Sequence, residues 1–191
     1  SKEPDLDMVV EQRLGFVVEG EADKAFVEAL VPRLFRDPIR VYAVRLGGRI
    51  AIPWIYATAL TLLEEKQYPH VVVLLDSDTV VPSRIEEQRQ GIRSMLEQHS
   101  ITSAEVTICF AVPELEVWLL AEYDERPEES KNPRQDLATR LGRQGRVLPE
   151  KIGELARALN IKNARERSAS FDGFVRAIND VANMLDVAVT P

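Results

Sequence analysis

Val71-Val72-Val73-Leu74-Leu75-Asp76-Ser77-Asp78 is five apolar residues followed at once by two carboxylates. An uninterrupted apolar run of this length reads as a strand buried on both faces, the mark of a parallel sheet covered by helices. A second stretch repeats the plan: Leu14-Gly15-Phe16-Val17-Val18 runs into Glu19-Gly20-Glu21-Ala22-Asp23. The ends of parallel strands share one edge of the sheet, where open α/β folds place their ligands. Carboxylates collected there repel one another, and a divalent cation relieves the repulsion. The sequence therefore predicts a site for Mg²⁺ or Mn²⁺.

Outward from these two runs, strand-like and helix-like stretches alternate. Strands are predicted at 14–19, 39–45, 70–75 and 104–112, and helices at 22–36, 50–66 and 83–99. Pro113 is placed at the first position of the next helix, where a missing N–H costs nothing. This order, β-α-β-α-β-α-β, calls for a parallel sheet with right-handed crossovers. Residues 123–133 are polar and read as a linker or lid. Helices follow at 134–142, 149–160 and 171–186, punctuated by Gly142, Gly145 and Pro149. The expected fold is α/β, a four-stranded, mainly parallel Rossmann-like sheet over 8–122, with an all-helical extension over 134–191 packed on it.

The four strand ends carry Glu19 with Asp23, then Gly47-Gly48, then Asp76 with Asp78, then Glu114 with Glu116. Helix-dipole preference or turn chemistry accounts for any one acidic pair. It does not account for three strand ends meeting on one edge. Of the last pair, Glu116 lies two residues from both Glu114 and Trp118, so it points elsewhere on the helix and is the better candidate to face the crevice. Leu115, Trp118, Leu119 and Leu120 have the spacing of a buried helix face and are expected in the core.

Overall charge is −7, but residues 131–167 hold ten Lys/Arg against four Asp/Glu, a local +6 that leaves −13 elsewhere. A phosphate-tracking face is one reading of that asymmetry and a solvated helix surface is the other. Candidate nucleic-acid contacts are Lys131, Arg140, Arg143, Arg146, Arg165 and Arg167. The single cysteine, Cys109, sits inside an apolar run and reads as a core thiol. One Cys and two His exclude a disulfide framework and a zinc site of Cys and His. No apolar run has the length of a membrane span, and a cytoplasmic setting is the default expectation.

The pattern resembles the TOPRIM domain of topoisomerases, primases and OLD-family nucleases. The motifs that carry the resemblance are Val18-Glu19-Gly20 with Asp23, and Asp76-Ser77-Asp78. The segment Pro113-Glu114-Leu115-Glu116-Val117-Trp118-Leu119-Leu120-Ala121 is similar to that of small stand-alone TOPRIM proteins related to RloB. So is the tail Arg167-Ser168-Ala169-Ser170-Phe171 followed by Phe174. The likeness spans about 14–180. It implies metal-dependent phosphodiester hydrolysis of nucleic acid, DNA ahead of RNA, with Glu19, Asp76 and Asp78 at the catalytic centre. Asp23 and Glu116 would help to hold metal, and Lys24 or Lys131 is a candidate to offset charge on the phosphate. Many TOPRIM proteins carry a third acid where this chain has Val80. No glycine-lysine nucleotide loop is present, so an ATPase of the OLD type would be a separate partner, in phage defence or DNA repair. A homodimer is compatible with the sequence. Two alternatives accompany this reading: a catalytically silent TOPRIM subunit that regulates or scaffolds, and, behind it, a haloacid-dehalogenase-like phosphatase suggested by Leu74-Leu75-Asp76-Ser77-Asp78-Thr79.

Overall fold

The computed structural model describes residues 11–191, so the expected domain start at residue 8 lies outside the described residues. Four strands, β1 (Gln12–Val18), β2 (Ile39–Arg45), β3 (Val71–Asp76) and β4 (Val106–Ala111), form one sheet in the order β2-β1-β3-β4. Every pairing is parallel. Between the strands run α1 (Glu21–Leu30), α2 (Ile52–Leu60, continued by a π-helical turn at Thr61–Glu65) and α3 (Pro82–Gln98). The chain steps outward from β1 to β2 and then returns across β1 to β3. Reversal at fixed crossover handedness puts α1 on one face and α2 with α3 on the other. The point of reversal lies between β1 and β3.

Two apolar clusters flank the sheet and divide each strand by alternate residues, as the pleat requires. Leu14, Phe16, Val18, Val72, Leu74 and Cys109 face one cluster, while Val17, Val71, Val73, Leu75 and Phe110 face the other. All six residues of β3 are buried, as its unbroken apolar run predicts. Gly15 leaves room for the Tyr68 ring, whose carbons would lie 3.3 Å from a Cβ there.

The chain continues through α4 (Glu116–Leu120), α5 (Pro133–Arg140), α6 (Pro149–Ala158), α7 (Ile161–Arg167) and α8 (Ala169–Leu185). These helices share the larger cluster with α1 and the sheet. Trp118 is fully buried, its ring 4.9 Å from Phe174, 5.4 Å from Phe171 and 5.6 Å from Phe26, centroid to centroid. Leu115, Leu119 and Leu120 are buried with it, as the spacing predicts. Cys109 is a core thiol whose pKa burial pushes up to about 12.

Three expectations are corrected. Pro113 does not open a helix: the Val112–Pro113 peptide is cis and α4 begins at Glu116. Helix α8 starts two residues early because the Ser168 hydroxyl accepts the Phe171 N–H at 3.3 Å and caps it. Helix α7 falls in a gap of the predicted pattern. It is short, and it is initiated by the Asn160 side chain accepting the Asn163 N–H rather than by an apolar period. Among the described residues, no helix is long and apolar enough to cross a membrane.

Candidate metal centre

Glu19 follows β1 and Asp76 closes β3, so the two neighbouring strands on either side of the reversal each deliver one carboxylate. Backbone N–H groups fix their orientation. Glu19 Oε1 accepts the Asp76 N–H at 3.0 Å, Asp76 Oδ1 accepts the Leu115 N–H at 2.9 Å, and Asp23 Oδ2 accepts the Gly20 N–H at 2.9 Å. The Gly20–Asp23 contact also starts α1, so one acid both begins a helix and joins the site. Behind them, the Ser77 and Asp78 N–H groups donate to the Ala111 and Pro113 carbonyls, each at 3.0 Å. That pair of bonds draws the loop after β4 against the loop after β3 and brings Glu116 alongside.

Glu19, Asp23, Asp76 and Glu116 line one crevice of about 940 Å³. The lining also includes Asn132, Arg134 and the loop 143–147, with Arg143 and Arg146 in it. Burial is the largest influence on all four acids, and it raises each pKa. Glu19 is pushed up to about 7, with Asp23 and Asp78 adding repulsion and the Asp76 N–H working the other way. Asp76 is pushed up to about 9, with Asp23, Glu19 and Glu116 adding repulsion. Such a group of buried like charges is short of positive charge.

Part of the deficit is met by Arg134, which the sequence reading did not single out. Its guanidinium lies 3.5 Å from oxygens of Asp76, Glu114 and Glu116. Partial burial works against the arginine's charge, but Glu116, Glu114, Asp76 and Asp23 outweigh it and raise its pKa further. The side chain is nevertheless 63% exposed, against 6% for Asp76. An Arg in the first turn of a helix opposes the helix dipole, and that misplacement in Asn132-Pro133-Arg134 was the available signal. Asn132 caps α5 through the Gln135 N–H, and so sets where Arg134 points.

The other predicted residues divide. Arg143 and Arg146 line the crevice, and Lys131 is exposed beside Asn132. Arg140 is paired with Asp124, Arg165 with Asp172 at 2.7 Å, and Arg167 donates to the Ala121 carbonyl at 2.8 Å. Lys24 is taken up by the Ala43 carbonyl at 2.7 Å and Glu28 at 3.2 Å. Asp78 is exposed, with φ 54°, and lies outside the crevice lining. The Ser168-Ala169-Ser170 motif is structural. Ser170 Oγ accepts the Trp118 indole N–H at 2.8 Å, and Glu128 accepts the Ser168 hydroxyl and the Ser170 N–H. Residues 123–133 are thereby fastened to the start of α8.

Oxygen donors of this kind suit Mg²⁺ or Mn²⁺. Among the described residues, no group of three or more His, Cys, Asp and Glu side chains stands ready to hold an ion. Three of the carboxylates instead meet at the Arg134 guanidinium. In comparison with known proteins, the chain matches no family model, no curated protein and no solved structure.

Proposed function

We propose that the crevice is the active site of a divalent-cation-dependent phosphodiesterase of TOPRIM type, acting on nucleic acid and on DNA ahead of RNA. One observation carries the reading. Four carboxylates from three strand ends, Asp76 buried and the others half-buried, line one crevice with raised pKa values, and the Arg134 guanidinium that meets Asp76 and Glu116 is 63% exposed. Glu19, Asp23, Asp76 and Glu116 are the residues that would hold the cation. When bound, it would activate a water and offset charge on the phosphate.

The chain's own groups divide the remaining work. Were a single cation held by the other three acids, Glu19, with a pKa of about 7 in the metal-free protein, would instead be suited to take a proton from the attacking water. Arg143 and Arg146, which line the same crevice, are suited to hold the phosphate backbone. Arg134, once released from the carboxylates, is within reach of a phosphate at the same place. A separate ATPase partner and a role in defence or repair rest on the TOPRIM resemblance alone, and a cytoplasmic setting is the default expectation from the sequence.

A second reading, a silent subunit that regulates or scaffolds, is favoured by Arg134 itself, which already neutralises the acids, and by Val80 where a third acid is usual. Cleavage of labelled single- and double-stranded DNA and of RNA, with Mg²⁺ or Mn²⁺, separates the two. The nuclease reading expects cutting by the wild type that Glu19→Gln and Asp76→Asn abolish while both variants stay folded. Cation binding without cutting supports the silent subunit. The absence of both cutting and cation binding refutes the metal site.

A further inference from the structure

Beside the crevice the chain exposes aromatic surface that the hydrolytic site does not use. Trp54, in the first turn of α2, is 50% exposed, and Ile50 just before it is 48% exposed. Neither is a member of either buried apolar cluster. The Arg49 guanidinium lies over the Trp54 ring, 4.9 Å from its centroid. An exposed Trp backed by an Arg is not explained by folding, since leaving so large an apolar side chain in water forgoes its burial free energy.

The position of this pair suggests its occupant. Gly48 forms part of the crevice wall, one residue before Arg49. The same loop is tied to the site, because the Gly47 N–H donates to the Glu19 carbonyl at 3.1 Å and the Leu46 N–H to that of Val18 at 2.8 Å. Gly48 takes φ +83°, which side chains rarely adopt, and nothing lies within 4 Å of where a Cβ would be. No side chain projects at Gly48 between the crevice and the Arg49–Trp54 pair. Arg143 and Arg146 line the crevice, and Arg49, next to Gly48 in the chain, is exposed. A polyanion running from the crevice past Gly48 would meet positive charge in the crevice and again beside a flat apolar ring.

We infer that Trp54, backed by Arg49, is a stacking platform for an unpaired base of single-stranded DNA whose backbone crosses the carboxylate crevice. This deepens the nuclease reading and rests on it, naming a strand with unstacked bases as the substrate class. Stacking accepts any base, so the platform confers strand preference without sequence preference. Arg49 contributes charge for the adjoining phosphate and shields the second face of the indole.

The test uses the whole chain without metal, so that binding is read apart from cleavage. The chain has two tryptophans, and Trp118 is fully buried. Quenching by a ligand at the surface thus reports on Trp54. The probes are a 20-nucleotide oligo(dT), an abasic phosphodiester of equal length and charge, and oligo(rU). The expected result is quenching by oligo(dT) and none by the abasic strand. Affinities are read separately, by anisotropy of end-labelled strands: Trp54→Ala should weaken oligo(dT) binding about tenfold, with Trp54→Phe restoring most of it and abasic binding unchanged. Equal oligo(dT) affinity in Trp54→Ala, or equal quenching by the abasic strand, overturns the platform. Equal quenching and affinity with oligo(rU) overturns the assignment to DNA. If oligo(dT) does not bind while metal-dependent cutting of duplex persists, the platform fails and the nuclease reading stands. If both are lost, both fail.

Discussion

Asp76→Asn should make the metal-free protein more stable, and increasingly so as pH rises. Asp76 is 6% exposed at the side chain and its pKa rises from 3.8 to about 9. The unfolded chain ionises this group near 4, whereas the folded chain holds its proton until about 9. A raised folded-state pKa contributes stability that is complete below the unfolded value and is lost as pH climbs through the window to the folded value. At about 1.4 kcal/mol for each pH unit, the penalty relative to a neutral side chain approaches about 6 kcal/mol at pH 8 and about 2 kcal/mol at pH 5. Water in the open crevice and the Arg134 guanidinium screen the ionised form, so a net gain of about 2–3 kcal/mol at pH 8 is expected. Asn preserves the acceptor for the Leu115 N–H, so packing and that hydrogen bond are not lost. Urea unfolding in chelator at pH 5, 6.5 and 8 measures the gap, and Mg²⁺ should then stabilise the wild type and not the variant. A variant that is less stable than wild type at pH 8, or a gap that does not widen with pH, would refute the reasoning. It would show that Arg134 and the backbone already satisfy an ionised Asp76.

Arg134→Met should bind Mn²⁺ severalfold more tightly by calorimetry, because the guanidinium no longer competes for the acids, while metal-free stability at pH 8 falls by about 1–2 kcal/mol. Unchanged or weaker Mn²⁺ binding would place Arg134 outside the competition. Ser170→Ala should cost about 1–2 kcal/mol in urea unfolding, since it leaves the buried Trp118 indole N–H without its acceptor; a neutral result would mean that this hydrogen bond does not hold the indole in place. Cys109→Ala should leave any cleavage rate unchanged and cost about 1 kcal/mol of stability, because a thiol with a pKa of about 12 supplies no thiolate. Loss of cutting in this folded variant would contradict its assignment to the core.

The sheet was legible because its signal is local. An unbroken apolar run such as Val71–Leu75 has few uses other than a strand buried on both faces, and the acids follow it directly in the chain. The same locality made Glu19, Asp23, Asp76 and Glu116 readable together, since strand ends on one edge must come together, although Asp78, read with them, is exposed and lies outside the crevice lining. Arg134 was not readable in that way. Its contact with Asp76 joins residues 58 apart, and it depends on how α5 docks, which no periodicity encodes. Net charge could not sort the basic face either. Arg140, Arg165 and Arg167 are engaged within the fold, while Arg143 and Arg146 face the crevice, and all five count equally in a sum. Helix α7 and the early start of α8 rest on single capping side chains, Asn160 and Ser168, that an apolar pattern does not register.

The central claim is that the crevice takes a divalent cation and that Arg134 yields its place. A crystal grown with Mn²⁺ and measured at the manganese absorption edge tests this directly. The account predicts an anomalous peak among the Glu19, Asp23, Asp76 and Glu116 carboxylates, with the Arg134 guanidinium withdrawn from them. Arg134 still seated on Asp76 and Glu116, with no peak in the crevice at millimolar Mn²⁺, would contradict it.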